Sequence, residues 1–460
     1  MRQWMVAAKK ADFYVIAEKF HVDPVVARII RNREVIGEKN IRIYLGGNLS
    51  DLSDPHQMKD MDRLVEILAQ KIRKQVHIRI IGDYDVDGVT SSHLFLTALR
   101  RVGAKVDVVI PHRIQDGYGL SLHLLQQAKE DGVDTILTCD NGIAAIDEIA
   151  WAKAQKMTVL VTDHHAVPFE EHEGRRTEKK SLADAVVNPH QQDCGYPYKE
   201  LCGAGVAWNV IRVLYENYDM DKREAEDLLD FVAMATVCDV MSLTGENRIL
   251  VKEGLKRIRH TKNIGLQALM QACNVQPENI SAYHFGYVLG PCVNATGRLD
   301  TARHALRLFE TGQETEAEEI ARDLVDLNQE RKELTLQGVE MAKKLCEEGG
   351  YENDPVLVLF LPDVHESIAG LIAGRIREMY NRPVFVLTRG EEGVKGSGRS
   401  TENYSMYENM CGCAELFTKF GGHPMAAGLS LPEENVDKFR EKINACANLT
   451  DCLLYTSDAA

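Results

Sequence analysis

The sequence predicts an α/β protein: a parallel-sheet domain, then a second, smaller α/β domain, joined by a long helix. Three observations carry this prediction. Short apolar runs rich in β-branched residues alternate with helical patterns between residues 76 and 187. A charged segment at 313–348 repeats apolar residues every seven positions. A second alternation of strand and helix patterns begins at residue 355.

The first alternation predicts a mostly parallel sheet covered on both faces, because each apolar strand is followed by a helical crossover. The expected strands are 76–81, 106–110, 133–138, 158–162 and 183–187. The expected helices between them are 91–103, 121–132 and 144–155, the first two closed by glycines. Residues 1–70 are predicted to be helical and loop-rich, and residues 203–270 mainly helical.

The charged segment 313–348 predicts one long helix with a single apolar seam, which bridges two domains. The seam consists of Ile320, Leu327, Leu334 and Met341, with Leu324 and Leu345 beside it. We expect it to pack within its own domain, because Arg331 and Gly338 interrupt the second row that a coiled coil needs. The second α/β unit is predicted as strand 355–361, helix 366–380, strand 382–388 and a glycine-rich segment at 393–400.

Composition excludes several classes of protein. A chain of 460 residues is long enough for two to three domains of roughly 150 residues. It contains no apolar run of about 18 residues, and its first residues lack the apolar stretch of a signal peptide, so we expect a cytoplasmic protein without a membrane partner. The eleven cysteines are scattered and form no C-x-x-C pair, which favours reduced thiols over a zinc ribbon. A net charge of −15 argues against a generally basic surface, but it leaves room for a local basic groove and for a carboxylate metal site.

Acidic and imidazole side chains follow three of the predicted strands. The first strand is followed by a segment with Asp83, Asp85 and Asp87, between Gly82 and Gly88. Asp140 and Asn141 follow the third strand, and Asp163, His164 and His165 follow the fourth. Because the carboxyl ends of parallel strands meet at one edge, these side chains should converge there. Asp239, inside the apolar run 235–241, is a fourth candidate.

Clustered carboxylates repel one another unless cations or protons intervene. Oxygen ligands with some imidazole suit Mn²⁺ or Mg²⁺, and two such ions can activate water and clamp a phosphoryl oxygen. Taken alone, a D-x-D pair is more often a turn or a helix cap, and a histidine pair is more often structural. The recurrence of such residues at successive strand ends favours a metal site, with a tight loop at 82–88 letting the three aspartates converge.

Four short motifs resemble those of the DHH phosphoesterase superfamily. They are Asp85-x-Asp87-Gly88, Asp140-Asn141-Gly142, Asp163-His164-His165 and Cys238-Asp239. The wider sequences around them, with VVNPHQ (186–191) and LCGAGVAW (201–208), are similar to the single-strand-specific exonucleases of that superfamily. NATGRLD (294–300), GLIAGRI (370–376), GSGRS (396–400) and GGHPMAAG (421–428) resemble its DHH-associated domain, which we expect in the second unit.

The resemblance implies roles for individual residues. Two divalent ions, Mn²⁺ preferred over Mg²⁺, would be held by Asp83, Asp85, Asp87, Asp140, His164 and Asp239. Asp140 and His164 would share the catalytic work with His165, which would bind or polarise the scissile phosphate. In the second domain, the DNA backbone or its 5′ phosphate would be held by Arg298, Ser397, Arg399, Gly421, Gly422 and His423. Arginine forks match phosphate, and glycines let backbone N–H groups approach an anion. A glycine turn at 421–424 and a surface ion pair at Arg399 are the alternatives without the resemblance.

The predicted domain organisation follows from the same comparison. We expect an N-terminal segment at 1–70, a DHH catalytic domain at 71–270, a connector with the long helix at 271–348 and a DHH-associated substrate-binding domain at 349–450. The last residues, 451–460, break off after an amphipathic helix and look like a non-native tail. An oligonucleotide-binding barrel, expected after the second domain in these exonucleases, would then be missing.

The resemblance implies a metal-dependent exonuclease that hydrolyses single-stranded DNA from 5′ to 3′ into mononucleotides, in recombination and repair. A 5′-phosphorylated strand would be the preferred substrate, with a helicase and a single-strand-binding protein as partners. One alternative keeps the chemistry but takes very short oligonucleotides or cyclic dinucleotides. Another is a non-catalytic binding protein of the replication fork, which the complete set of ligand positions argues against.

Overall fold

The structure is a computed structural model that describes residues 10–447 and 449, except 114–115, 118, 173–174 and 391–392. The predicted tail at 451–460 lies outside the described residues. The described chain forms two compact units, which divide between Asn328 and Gln329. This division falls inside the predicted connector 271–348, and the other predicted domain boundaries stay predictions.

The first unit contains a five-stranded sheet in the order β2-β1-β3-β4-β7, and every pair of neighbours is parallel. Its strands are β1 (Ile78–Ile81), β2 (Val106–Val109), β3 (Thr135–Cys139), β4 (Thr158–Thr162) and β7 (Ala185–Val187). A separate antiparallel pair consists of β5 (Phe169–His172) and β6 (Arg175–Glu178). The predicted parallel sheet is therefore confirmed, with each strand one to three residues shorter or shifted at its ends, except 158–162, which matches.

Buried side chains of alternate strand residues cover both faces of this sheet. Ile80, Leu137 and Leu160 belong to the large core of the unit, whereas Ile81 and Ile136 belong to a second core on the other face. The helices of the unit are α1 (Phe13–Phe20), α2 (Pro24–Asn32), α3 (Glu38–Gly46), α4 (Met61–Arg73), α5 (Val86–Arg101), α6 (Leu122–Glu130), α7 (Ile146–Ala154), α8 (Gly203–Asn217), α9 (Lys222–Glu226), α10 (Leu229–Cys238), α11 (Gly245–Arg257), α12 (Ile264–Ala272), α13 (Ala282–His284), α14 (Gly290–Leu299) and α15 (Arg303–Glu310). A π-helical turn, Phe285–Leu289, joins α13 to α14 without a break.

The second unit also contains a five-stranded sheet, in the order β11-β12-β10-β9-β8. Its strands are β8 (Leu357–Phe360), β9 (Val384–Gly390), β10 (Gly393–Arg399), β11 (Lys419–His423) and β12 (Ala426–Leu431). Strands β8 and β9 are parallel and the other pairs are antiparallel. The helices are α17 (Ala369–Tyr380), α18 (Met406–Cys411) and α19 (Val436–Cys446). The glycine-rich segment at 393–400, given no element from the sequence, is mostly a strand.

Helix α16 (Glu314–Gly349) leads from the first unit into the second, as the charged segment predicted. Ile320 and Leu324 are buried, and Leu334 and Leu345 pack against a core of the second unit, but one residue of the predicted seam is wrong. Met341 is exposed, whereas Val339 and Ala342 are buried with α17. Gly338, one turn after Leu334, lies against Ile372 of α17, where a Cβ would collide with the isoleucine, so this side of α16 faces α17.

Two further features bear on the predicted compartment. Among the described residues, no helix is both long and apolar enough to cross a bilayer. No disulfide bond joins any two of the ten cysteines in the described part of the chain.

Candidate metal centre

Four elements of the first unit deliver carboxylates and imidazoles to one place. Asp83 and Asp85 lie between β1 and α5, and Asp87 lies in the first turn of α5. Asp140 directly follows β3, and His164 and His165 follow β4. Asp239 caps the C-terminus of α10. The ligand atoms form three overlapping groups, each within 4.8 Å: Asp83, Asp85 and Asp140; Asp87, His164 and Asp239; and Asp140, His164 and His165.

The start of α5 differs from the prediction. A loop was expected to reach Gly88 and the helix to begin at residue 91, but α5 begins at Val86. The side chain of Asp85 caps the helix by accepting a hydrogen bond from the Gly88 N–H at 3.0 Å. Gly88 therefore serves close packing rather than a turn: a Cβ there would collide with the backbone of Asp83. Asp87 points its carboxylate from a helix, not from a loop.

His164 lies at the centre of the cluster. Its Nε2 is 3.1 Å from Asp140 Oδ1, 3.6 Å from Asp239 Oδ2 and 3.7 Å from Asp87 Oδ2. Burial lowers the pKa of His164, so the ring is neutral at pH 7. A neutral imidazole is the form that binds a metal ion.

Three carboxylates of the cluster hold protons more tightly than ordinary aspartates. Burial, and then the charge of neighbouring carboxylates, raise the pKa of Asp83 and Asp140 well above the usual value. The same two causes raise the pKa of Asp239 to about 8. The first unit therefore concentrates negative charge where a cation would relieve it.

The hydrogen bonding of the cluster also indicates a site for a divalent cation. Asp83 Oδ1 and His164 Nε2 are buried and make no hydrogen bond within the described part of the chain. Buried polar atoms without partners are rare in proteins, because leaving one unsatisfied costs about 1–3 kcal/mol. Carboxylate oxygens with one imidazole are the donor set of Mn²⁺ or Mg²⁺. The three groups contain no thiol, and burial raises the pKa of Cys139, the residue before Asp140, to about 12.

Asp163 holds the backbone that follows β4 and is not a member of the three ligand groups. Its carboxylate accepts hydrogen bonds from the N–H groups of Ile143 (2.9 Å), His164 (2.7 Å) and His165 (3.1 Å), and from His165 Nδ1 (2.8 Å). These bonds hold the pKa of Asp163 below its usual value, although burial opposes them. Burial, the largest single effect, disfavours the charged form of His165, but the bond to Asp163 and the charges of nearby aspartates together raise the pKa of His165 to about 9. His165 is therefore a cation at the rim, with 43% of its side chain exposed.

Backbone groups that sequence reasoning missed hold the aspartates in place. The carboxylate of Asp87 accepts hydrogen bonds from the N–H groups of Gly203 (2.6 Å) and Ala204 (2.7 Å) at the N-terminus of α8. A Cβ at Gly203 would lie 2.7 Å from Asp140 Cβ, so only glycine fits beneath both aspartates. Asn141, named only as part of a motif, donates to the carbonyls of Ile81 (3.0 Å) and Cys139 (2.9 Å). The motif LCGAGVAW marked the region that contacts Asp87. The sequence could not identify the donors themselves, because a backbone N–H group has no side-chain signature.

Arg298 was expected in the second unit, and this expectation is wrong. The segment 294–300 belongs largely to α14, in the first unit. Asn294 Oδ1 accepts a hydrogen bond from the Val86 N–H at 3.2 Å, and Gly297 packs against the backbone of Tyr84. The segment therefore supports the loop that carries Asp83 and Asp85, and half-buried Arg298 lies at the end of the same helix.

Comparison with known proteins agrees with this site. The family model "DHH family, N-terminal domain" matches residues 77–236, and the "DHHA1 domain" model matches residues 353–449. The single-stranded-DNA-specific exonuclease RecJ of Haemophilus influenzae is 36% identical over 439 residues, covering 92% of this chain and 74% of that protein. The chain belongs to the RecJ family.

The RecJ of Bacillus subtilis is 34% identical, over 95% of this chain and 54% of that protein. A crystal structure of RecJ from Thermus thermophilus in complex with Mn²⁺ matches with a TM-score of 0.80 and 29% identity, over 95% of this chain and 61% of that one. The chain thus spans between about half and three quarters of the length of these RecJ proteins.

The remaining predicted site residues lie in the DHHA1 domain of this RecJ family member. In the sheet, Ser397 lies opposite Gly428, which lies opposite Gly421. Arg399 and His423 flank Ala426 in the same way. Strand side chains alternate between the two faces of a sheet. One face of this sheet therefore has serine and glycine in its central row, with lysine, arginine and histidine side chains in the rows beside it. The residues of this face, called here the glycine face, are Lys395, Ser397, Arg399, Lys419, Gly421, His423, Ala426, Gly428 and Ser430.

The glycine face includes Gly421 and His423, while Gly422 alternates to the other side of β11. Gly422 has φ +155°, and a Cβ there would lie 2.6 Å from Ala427 Cα. It is therefore needed for close packing of β11 against β12. At the start of α17, a Cβ on Gly370 would lie 2.8 Å from the guanidinium of Arg399 and 3.5 Å from Ser397 Cβ. Ser397 and Arg399 thus adjoin a helix N-terminus, where the backbone favours anions.

Proposed function

We propose that this RecJ family member is a metal-dependent exonuclease that hydrolyses single-stranded DNA from 5′ to 3′ and releases mononucleotides. The observation that carries the proposal is the cluster of buried aspartates around His164, with Asp83 Oδ1 and His164 Nε2 unsatisfied. When bound, two Mn²⁺ or Mg²⁺ ions would activate water and neutralise charge on the reacting phosphate.

Two groups of the cluster would hold the two ions. Asp83 and Asp85 would bind one, and Asp87 and Asp239 the other. Asp140 would lie between them, because its carboxylate belongs to one group with Asp83 and Asp85 and to another with His164.

His165 would contact the scissile phosphate. Asp163 fixes the ring by its bond to Nδ1 and favours its protonated form, and the pKa of His165 is about 9 in the metal-free chain. A cation held in this way attracts the non-bridging oxygens of the phosphate and stabilises the charge that grows on them in the transition state. Asp140 and His164 would serve catalysis by holding the ions.

The glycine face would bind the DNA backbone or its 5′ phosphate. Arg399 offers a planar fork for phosphate, and Ser397 offers a hydroxyl donor. Gly421 and Gly428 leave the centre of the face without side chains, so a phosphate can approach the backbone. In the proposal, Arg298 serves the substrate from the first unit.

The proposed setting follows from the substrate. Single strands arise during recombination and repair, where a helicase would supply the strand and a single-strand-binding protein would deliver it. We place the enzyme in the cytoplasm, with a preference for a 5′-phosphorylated strand.

The test is digestion of a 5′-phosphorylated single strand and its duplex with Mn²⁺, the label placed at either end. We expect early release of labelled mononucleotides from the 5′ end of the single strand only, and none with EDTA or with Asp140→Ala. Asp193→Ala is the matched control, because Asp193 is an exposed aspartate paired with Lys59. Release from the 3′ end would contradict the polarity, cleavage of dinucleotides alone would favour a small-nucleotide phosphodiesterase, and binding without cleavage would favour a binding protein.

A further inference from the structure

Two tyrosines lie side by side on the surface of the first unit. Tyr283 is 62% exposed and Tyr287 is 73% exposed. Their ring centroids are 5.2 Å apart and their planes are 25° apart, so the rings are stacked. A single exposed ring is ordinary, but two exposed rings in contact form a contiguous aromatic patch, which is typical of an interaction site.

The tyrosines belong to a helical segment, residues 282–299, that touches the end of α10. Gly286 packs against Val237, and Cys238 Sγ donates to the carbonyl of Phe285 at 3.3 Å. The next residue is Asp239, a member of the proposed metal centre. The contact is made at the π-helical turn Phe285–Leu289, and such turns occur often at functional sites.

The same face of this segment continues to the metal loop. Asn294 and Arg298 lie farther along the segment and, like Tyr287, are not fully buried, whereas residues 295–297 between them are buried. Asn294 accepts the hydrogen bond from Val86 at the start of α5. At a rise of 1.5 Å per residue, Tyr287 lies about 10 Å along the segment from Asn294. One stripe therefore runs from the stacked rings to the aspartate loop.

We propose that Tyr283 and Tyr287 form a stacking platform for bases of the single strand, close to the end that is cleaved. This inference rests on the proposed exonuclease function. Bases stack on exposed aromatic rings in many single-strand-binding proteins, without regard to sequence, because every base has a π face. The bases of a duplex already stack on one another and have no free face, so the platform favours a single strand over a duplex.

The stripe, rather than the rings alone, favours DNA as the occupant. An exposed tyrosine pair also suits a protein interface, where tyrosine is enriched. A protein partner, however, gives no reason for the rings to share a helix face with the residues that adjoin the metal loop. A protein contact at this position is the competing outcome of the test.

The test measures binding and cleavage separately in the full chain. The variants are Tyr283→Ala and Tyr287→Ala together, and Tyr287→Trp, which keeps a stacking ring. Tyr14→Ala is the matched control, because Tyr14 is 77% exposed on α1. Affinity for a fluorescent single strand in EDTA and KM for its cleavage with Mn²⁺ are measured. We expect the double variant to weaken both about tenfold or more, with kcat within about twofold, and Tyr287→Trp to bind as the original chain does.

Strands with an abasic site near the 5′ end provide the decisive comparison. The original chain should lose affinity when the abasic site reaches the platform, whereas the double variant should lose nothing further. Unchanged affinity and KM in the double variant would overturn the inference, as would a changed oligomeric state with unchanged DNA affinity. If tyrosine-dependent binding were found but no cleavage, the exonuclease proposal would fail and the platform would stand.

Discussion

At the scale of single residues, Asp140 shows the conflict between stability and the proposed function most clearly. Its backbone has a left-handed φ of 61°, and burial, followed by the charges of four neighbouring aspartates, raises the pKa of its carboxyl well above the usual value. The left-handed region is tolerated by aspartate and asparagine better than by most residues. Asparagine at this position would therefore keep the shape and the backbone, and would remove only the charge.

Asp140→Asn should stabilise the metal-free chain and abolish its proposed activity. Removing one charge from a crowded buried cluster should raise Tm in EDTA by about 2 °C or more, which corresponds to roughly 1 kcal/mol for units of this size. Cleavage with Mn²⁺ should fall at least about 100-fold, because Asp140 would lie between the two ions. Asp193→Asn, exposed and outside the cluster, should change neither quantity. A lower Tm for Asp140→Asn in EDTA would show that its charge stabilises the fold.

At the scale of elements, the N-terminus of α8 determines where two aspartates lie. Its first two N–H groups bind Asp87, and its first residue contacts Asp140. The N-terminus of a helix carries positive partial charge, so it stabilises the Asp87 carboxylate without filling the space that a cation needs. Because Gly203 at this helix end lies against Asp140, one methyl group added at Gly203 should disturb the proposed site.

Gly203→Ala should weaken metal binding while leaving the fold intact. The new Cβ would lie 2.7 Å from Asp140 Cβ and 3.0 Å from its Cα, so Asp140 must move. We expect the affinity for Mn²⁺, measured by calorimetry, to fall about 10- to 100-fold, the usual effect of disturbing residues that position ligands. Gly205→Ala is the control on the same helix, because its Cβ would meet only the Leu201 side chain, at 3.3 Å. Equal losses in both variants would mean that α8 as a whole, rather than the Asp140 contact, sets the affinity.

The sequence predicts elements well where one cause dominates. The strands β1, β3 and β4 are mostly β-branched and apolar, with Arg79 and threonines as the exceptions, so their patterns were sufficient. The start of α5 was misplaced because Gly88 usually ends helices, and only the three-dimensional contact with Asp83 explains a glycine inside the first turn. The exposed side of α16 at Met341 was misassigned for a similar reason, since Gly338 and Ile372 select the face.

The candidate site was predicted in part. The sequence predicted that the aspartates and His164 lie close together, because the carboxyl ends of parallel strands meet at one edge of a sheet. The backbone donors of α8 could not be predicted, because they have no side-chain signature. The sequence also could not show which unit contains Arg298, because a residue of the predicted connector can belong to either unit. Tyr283 and Tyr287 were missed since exposure, not residue type, distinguishes them from core aromatics.

At the scale of the whole molecule, charge is divided between regions. The net charge of −15 repels nucleic acid at a distance, so any DNA binding must depend on local cations. The glycine face offers Lys395, Arg399 and Lys419, and the first unit offers His165. The aspartate cluster contributes to the negative charge, and bound divalent ions would cancel part of it. Metal binding is therefore linked to the stability of the chain and to pH.

The metal-free chain should become less stable as pH rises from 6.5 to 8.5. In the folded chain the pKa of Asp239 is about 8 and that of His165 about 9, whereas the unfolded values are roughly 3.9 and 6.5. In this window the folded chain binds more protons than the unfolded chain, so the free energy of unfolding falls as pH rises. His93, with a pKa lowered to about 3, acts at lower pH and with the opposite sign.

Divalent metal should reverse this trend, because the ion replaces the protons that the aspartates release. Thermal unfolding across the same pH range, in EDTA and with excess Mg²⁺, measures both effects. We expect Tm to fall with pH in EDTA, and the gain from Mg²⁺ to be larger at pH 8.5 than at pH 6.5. Asp239→Asn should flatten the EDTA profile and reduce the gain. A gain from Mg²⁺ that did not depend on pH would mean that the ion binds elsewhere, because only a site built from these raised carboxyl groups couples metal to protons in this window.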